Sequence, residues 1–117
     1  MKKTELKLEG KTLLAPVWLA RDPFSRFLGL MGRAGLSSGE ALLFPRCNSI
    51  HTLFMRFAID VVFIDYHGIA LETTTANPWR FLMPRWHASH TLELGQGEAS
   101  RLGITAGKKL TCPEVWS

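Results

Sequence analysis

Cys47-Asn48-Ser49-Ile50-His51-Thr52-Leu53-Phe54-Met55-Arg56-Phe57-Ala58-Ile59-Asp60-Val61-Val62-Phe63-Ile64-Asp65 is the stretch on which the fold turns. Most of it is apolar, and it is rich in the aromatic and β-branched residues that fit a pleated, half-buried surface. Residues 50–54 and 60–65 therefore read as strands. His51, Arg56 and Asp60 are set into this run, and Asp60 opens the continuous segment Val61-Val62-Phe63-Ile64. A carboxylate in that position is expected to be partly buried. Burying it unpaired costs several kcal/mol, so it needs a donor. Arg56, four residues earlier, is the nearest one in sequence.

Upstream, residues 4–9 alternate, with Leu6 and Leu8 on one face and Glu5, Lys7 and Glu9 on the other, the period of a half-exposed strand. Gly10-Lys11 can turn the chain into a second strand over 12–20, where Pro16 suggests an edge or a bulge. The period then changes. Asp22 can cap a helix with Pro23 at its first position, Phe24, Phe27, Leu28 and Met31 follow at spacings of three and four, and Gly32 can end it. Residues 41–44 read as a short buried strand closed by Pro45. Downstream, 66–68 form a tight turn and 69–75 a strand whose threonines favour extended backbone. Residues 77–87, bracketed by Pro78 and Pro84, read as a long loop. Residues 91–94 alternate in polarity, 98–102 suggest one helical turn, and 108–112 a last strand. Many short strands and one early helix predict a mainly β (α+β) fold, a small β-barrel-like rolled sheet with a short helix packed on it.

The chain of 117 residues is expected to form one domain, 1–117, with a single core. Its 46% hydrophobic and 21% charged residues are those of a globular protein rather than a disordered one. Fourteen basic and ten acidic residues leave +4, which permits an anionic partner without demanding one. Cys47 and Cys112 belong to no CxxC pair and read as reduced, buried thiols. Charges at Glu5, Lys7, Glu9 and Lys11 interrupt any export signal, and the apolar piece 13–20 is too short to span a bilayer. No membrane insertion is expected, and the cytoplasm is the expected location.

In order, Arg26-x-x-Gly29-Leu30-Met31-Gly32-Arg33, Leu36 and Glu40-Ala41-Leu42-Leu43-Phe44 lead into the central stretch. Glu93-Leu94-x-x-Gly97 and Leu102-Gly103-Ile104 with Gly107 follow it. This succession, from about residue 26 to about residue 110, resembles the DUF192 family, a small bacterial and archaeal domain. The resemblance implies a compact, largely β domain and brings no reaction with it. Within the family pattern, Phe54 replaces the usual tryptophan before Met55, Arg56 a lysine, Phe57 an asparagine, and Lys108 stands where an acid is common.

Three groups of residues carry candidate chemistry. Asp60 with Arg56 and Arg26 could form a charged pocket, since arginines hold carboxylates or phosphates through paired hydrogen bonds. The competing reading is structural, with Asp60 accepting backbone N–H groups or pinning the hairpin. Trp79, Arg80, Arg85 and Trp86 interleave aromatics with bases, a combination that stacks on sugars or nucleobases. They could equally close the end of a barrel, with the arginine stems alongside. Cys47 and His51, with His87 and His90, form a weak metal set, zinc being the ion such ligands would favour. No cofactor and no catalytic residue are expected. The favoured function is non-catalytic binding of a small anionic or sugar-like ligand, or of a protein partner, near Met55, Arg56, Asp60 and the 79–86 loop, by a monomer or weak dimer. Two alternatives stand beside it. One is a small hydrolase using carboxylates among Glu40, Asp65, Glu72 and Glu93, and the other, less favoured, is a weak single-stranded nucleic-acid binder.

Overall fold

The computed structural model describes residues 2–13, 16–21, 40–48, 50–51, 57–82 and 84–116. The expected helix over 22–32, the continuation of a strand through 52–54, and the candidates Arg26, Met55 and Arg56 lie outside the described residues. Eleven strands are described: β1 (Lys2–Thr4), β2 (Lys7–Leu8), β3 (Lys11–Thr12), β4 (Val17–Leu19), β5 (Ala41–Pro45), β6 (Ile50–His51), β7 (Ile59–Asp65), β8 (Ala70–Ala76), β9 (Phe81–Leu82), β10 (Ala88–Gly95) and β11 (Leu110–Thr111). A five-residue helix, α1 (Glu98–Leu102), follows β10. The fold is mainly β.

Six strands form the principal sheet in the order β1-β4-β5-β10-β7-β8. All neighbours are antiparallel except β4 and β5, which run parallel. The sheet does not close into a barrel, because β1 and β8 remain as its two ends. A second sheet, β11-β2-β3, packs against one face of it. The single strand expected over 12–20 is divided between β3 and β4, which belong to different sheets. The second sheet starts from the β2–β3 hairpin, whose turn is Glu9 (φ 50) and Gly10 (φ 83), one residue earlier than the expected Gly10-Lys11, with the two positive φ angles whose twist a two-residue connection needs. It ends where Ile69, just before β8, bridges Lys109, just before β11. Pro16 marks neither an edge nor a bulge. It lies just outside β4, an interior strand between β1 and β5, and its carbonyl accepts the Ala41 N–H at 2.9 Å.

The 77–87 segment is not wholly loop, since β9 pairs with β6 through Ile50↔Leu82 and His51↔Phe81. The alternation over 91–94 does not mark an exposed face either. β10 is an inner strand of the principal sheet and is buried on both faces.

Each face of that sheet carries its own apolar layer. Leu43, Val62, Ile64, Leu92 and Leu94 look toward the small sheet and α1, packing with Leu6, Ala99, Ile104 and Leu110. On the other face lie Ile59, Val61 and Phe63, with Leu42 and Phe44 beside Trp18. The continuous apolar run in β7 reflects this double burial. Each large aliphatic side chain taken fully from water contributes about 1.5–3 kcal/mol before chain entropy is set against it.

Candidate functional site

Asp60 is buried at 5% exposure, as a carboxylate at the mouth of such a strand requires. Its Oδ2 accepts the Ala99 N–H at 3.1 Å and its Oδ1 the Thr75 hydroxyl at 3.3 Å. Ala99 is the second residue of α1, and the residue at the cap position, Gly97, has no side chain to offer. Asp60 thus supplies from β7 the oxygen that a helix start usually takes from its own cap.

The loop candidates are dispersed. Arg85 donates through Nε to Glu72 and lies 4.8 Å over the Phe63 ring, which fixes it against the sheet. Arg80 donates to the Trp79 carbonyl at 3.4 Å. Trp79 is 55% exposed and Trp86 86%. Trp79 follows Ala76, which stands opposite Ile59, and Trp86 precedes Ala88, which stands opposite Asp65. Those two ends of β7 are about 20 Å apart at ordinary strand rise. Cys47 is half-buried against Leu42 and Phe44, and its carbonyl accepts the Thr91 hydroxyl at 2.6 Å. The described residues contain no cluster of three or more His, Cys, Asp or Glu side chains suited to a metal, and neither Cys47 nor Cys112 is in a disulfide.

A cleft of about 790 Å³ opens at the Asp65 end of β7, bordered by Arg46, Tyr66, His67, His90, Lys109 and Trp116 among others. The ladders become irregular here. Register shifts fall between Phe63 and Ile64 on the β8 side and between Ala88 and His90 on the β7 side. Such bulges bend a strand and re-aim its side chains. Arg46, just beyond β5, adopts φ 56, an unusual backbone for an arginine. Its N–H donates to His90 Nδ1 at 3.1 Å, and the His90 ring stacks on Trp116 at 4.4 Å and 12°.

Trp116 is itself anchored by its indole N–H on the Leu110 carbonyl at 2.8 Å. Gly68 (φ 90) leaves room for that contact, because a Cβ there would run into both the Leu110 oxygen and Trp116 Nε1. Asp65 Oδ1 accepts the N–H groups of His67 and Ile69, each at 2.9 Å, so the nearby carboxylate is held by its own turn. Lys109 Nζ donates to the His67 carbonyl. Burial holds the His90 imidazole below its usual range, the Arg46 charge adds to this, and Asp65 opposes it. His90 is accordingly neutral at pH 7, with Nδ1 free to accept. These residues come from four distant parts of the chain, and no local spacing announces them.

The DUF192 model (Uncharacterized ACR) matches residues 4–112, nearly the whole chain. The chain belongs to the DUF192 family. Among archaeal relatives, a UPF0127 protein of Pyrococcus furiosus is 35% identical over 108 residues, covering 87% of this chain and 90% of that one. A UPF0127 protein of Thermococcus sibiricus is 32% identical, covering 89% and 70%. The fold is similar to that of a Sinorhizobium meliloti protein described as a candidate transcription regulator. The TM-score is 0.78 at 25% identity, over 95% of this chain and 94% of the other. A Novosphingobium aromaticivorans protein of unknown function matches with TM-score 0.76 at 23% identity, over 93% and 84%. No helix among the described residues of this DUF192 chain is long and apolar enough to cross a membrane.

A second feature of the DUF192 chain sits in the closing motif. Glu93, on β10, is 1% exposed, and neither carboxyl oxygen has a hydrogen-bond partner among the described residues. Burial alone raises its pKa to about 8, so the group is mostly a neutral acid at pH 7. Trp18 Nε1 is the other buried side-chain polar atom without a partner among the described residues. Both belong to the face opposite α1. Of the other carboxylates considered for hydrolysis, Glu72 is engaged by Arg85 and Asp65 by its turn.

Proposed function

We propose that this DUF192 domain is a non-catalytic, cytoplasmic binding module whose ligand is a small anion held in the cleft between Arg46 and Lys109. One observation carries this reading. Arg46 stands in a left-handed backbone conformation beside a stacked His90–Trp116 floor, and its guanidinium makes no ion pair among the described residues. A planar guanidinium offers two parallel N–H donors to a carboxylate or phosphate, and the Lys109 ammonium adds a point charge opposite. Neutral His90 accepts the Arg46 backbone N–H and so holds the main chain from which the guanidinium extends, which lowers the ordering cost of binding.

Calorimetric titration of the domain with inorganic phosphate, sulfate and malonate, at low and at physiological salt, tests the proposal. Saturable binding is expected for at least one anion, weakened roughly tenfold to a hundredfold in Arg46→Ala, the worth of one charged hydrogen-bonded contact. Absence of saturable binding in the wild type, or equal affinity in Arg46→Ala, overturns it.

A further inference from the structure

The cleft between Arg46 and Lys109 is larger than the anion those two cations would hold. At about 790 Å³ it lies toward the upper end of the roughly 300–1,000 Å³ that small-molecule sites occupy, and a bare phosphate fills only a small part of it. The rest of its border is not cationic. Tyr66, His67, His90 and Trp116 contribute rings, and Asn48 and Ser89 contribute neutral polar groups. A ligand that fills this space carries an anion at one end and a flat group at the other.

Tyr66 stands out among these rings. Of the large apolar side chains exposed among the described residues, which are Tyr66, Leu71, Trp79 and Trp86, Tyr66 alone borders the cleft. Its side chain is 77% exposed, yet the turn that carries it is tightly held. The Gly68 N–H donates to the Asp65 carbonyl at 3.0 Å, and Asp65 Oδ1 accepts the His67 and Ile69 N–H groups. The His67 ring meets the Tyr66 ring edge to face at 5.6 Å and 88°. Covering Tyr66 therefore costs little further ordering of the chain. One of the cations is tied to the same turn, since Lys109 Nζ donates to the carbonyl of His67, the residue next to Tyr66. The Trp116 ring, by contrast, is already stacked on His90.

We propose that the ligand of this cleft is a mononucleotide, its phosphate held between Arg46 and Lys109 and its base stacked on Tyr66, an inference that rests on the anion reading above. A phosphate monoester suits the paired donors of a guanidinium and the point charge of an ammonium. A nucleobase offers a π face to an exposed aromatic ring, and the contact is strong whatever the base. The Asn48 amide and the Ser89 hydroxyl supply donors and acceptors for the ribose or the base edge. Binding makes and breaks no covalent bond.

The test is a calorimetric comparison of adenosine monophosphate, ribose 5-phosphate, adenosine and inorganic phosphate at one salt concentration. The nucleotide is expected to bind about tenfold to a hundredfold more tightly than ribose 5-phosphate, the worth of one stacked base. Tyr66→Ala should bring the nucleotide down to the affinity of ribose 5-phosphate and leave the sugar phosphate and inorganic phosphate as they were. Tyr66→Phe, which keeps the ring, should keep the wild-type affinity. Both variants change an exposed side chain, and circular dichroism checks that they fold. Ribose 5-phosphate and inorganic phosphate may bind and weaken in Arg46→Ala while the nucleotide gains nothing over the sugar phosphate, or loses nothing in Tyr66→Ala. That result overturns the base site and leaves the anion reading standing. Binding of no phosphate at all, or affinities unchanged in Arg46→Ala, overturns both.

Discussion

Asp60 and Glu93 are buried acids one register step apart on neighbouring strands, with Asp60 opposite Leu94 and Glu93 opposite Val61. Their side chains take opposite faces of the same sheet. Asp60 meets the start of α1, where a backbone N–H lacks a partner within its own helix, and Thr75 supplies a second donor. Among the described residues Glu93 meets aliphatic and aromatic side chains and no donor. The same functional group is therefore a structural element in one place and an unmet demand in the other. What decides is whether a donor reaches it. Depth does not distinguish them, since both are almost wholly inaccessible.

The largest expected effect that separates the two acids is a pH profile. Glu93 is raised from 4.5 to about 8 in the folded protein. Between those values the folded state holds a proton that the unfolded state has lost, so stability falls as pH rises through this window and levels off above it. Urea unfolding from pH 4.5 to 9 should show the wild type losing a few kcal/mol relative to Glu93→Gln. Parallel curves would mean that Glu93 has a partner after all.

Next in size is Asp60→Ala. It strands the Ala99 N–H and uncaps α1, and a loss of about 1–3 kcal/mol at neutral pH is expected from the shift in urea midpoint. An unchanged midpoint would erase the contrast from the other side. The smallest effect belongs to Trp18→Phe, which deletes an orphaned N–H but keeps an aromatic ring. Its stability should stay within about 1 kcal/mol of wild type by thermal melting. A larger loss would show that the indole N–H is bonded in solution.

Asp60 was legible in advance, because a carboxylate beside four apolar residues in a row has few places to go. Its partner was not. Ala99 lies 39 residues away, and only the tertiary course of the chain after β10 brings a helix start to it. Glu93 was legible as a motif residue but misjudged in environment. Thr91-Leu92-Glu93-Leu94 has the polarity of a half-exposed strand, and the pattern cannot report that strands lie on both sides of it and cover on both faces. A hairpin turning at Gly10, to within one residue, a buried strand beginning at Ala41 and the short helix after Gly97 followed from local chemistry. The cleft did not, since Arg46, His67, His90, Lys109 and Trp116 are gathered by long-range pairing alone.

The position of β10 has a consequence for how the chain reaches this state. It is one of the last strands in the sequence, yet it supplies the hydrogen-bonded neighbour of both β5 and β7. Until residues 88–95 arrive, those two apolar strands present unpaired edges toward each other with nothing between them, the arrangement most prone to intermolecular pairing. Assembly must wait for a late insertion that joins partners more than forty residues apart, as His90 and Pro45 are. Such non-local closure sets a slow pace for a domain of this size. During that interval the unfilled slot of β10 is the molecule's point of greatest vulnerability to aggregation.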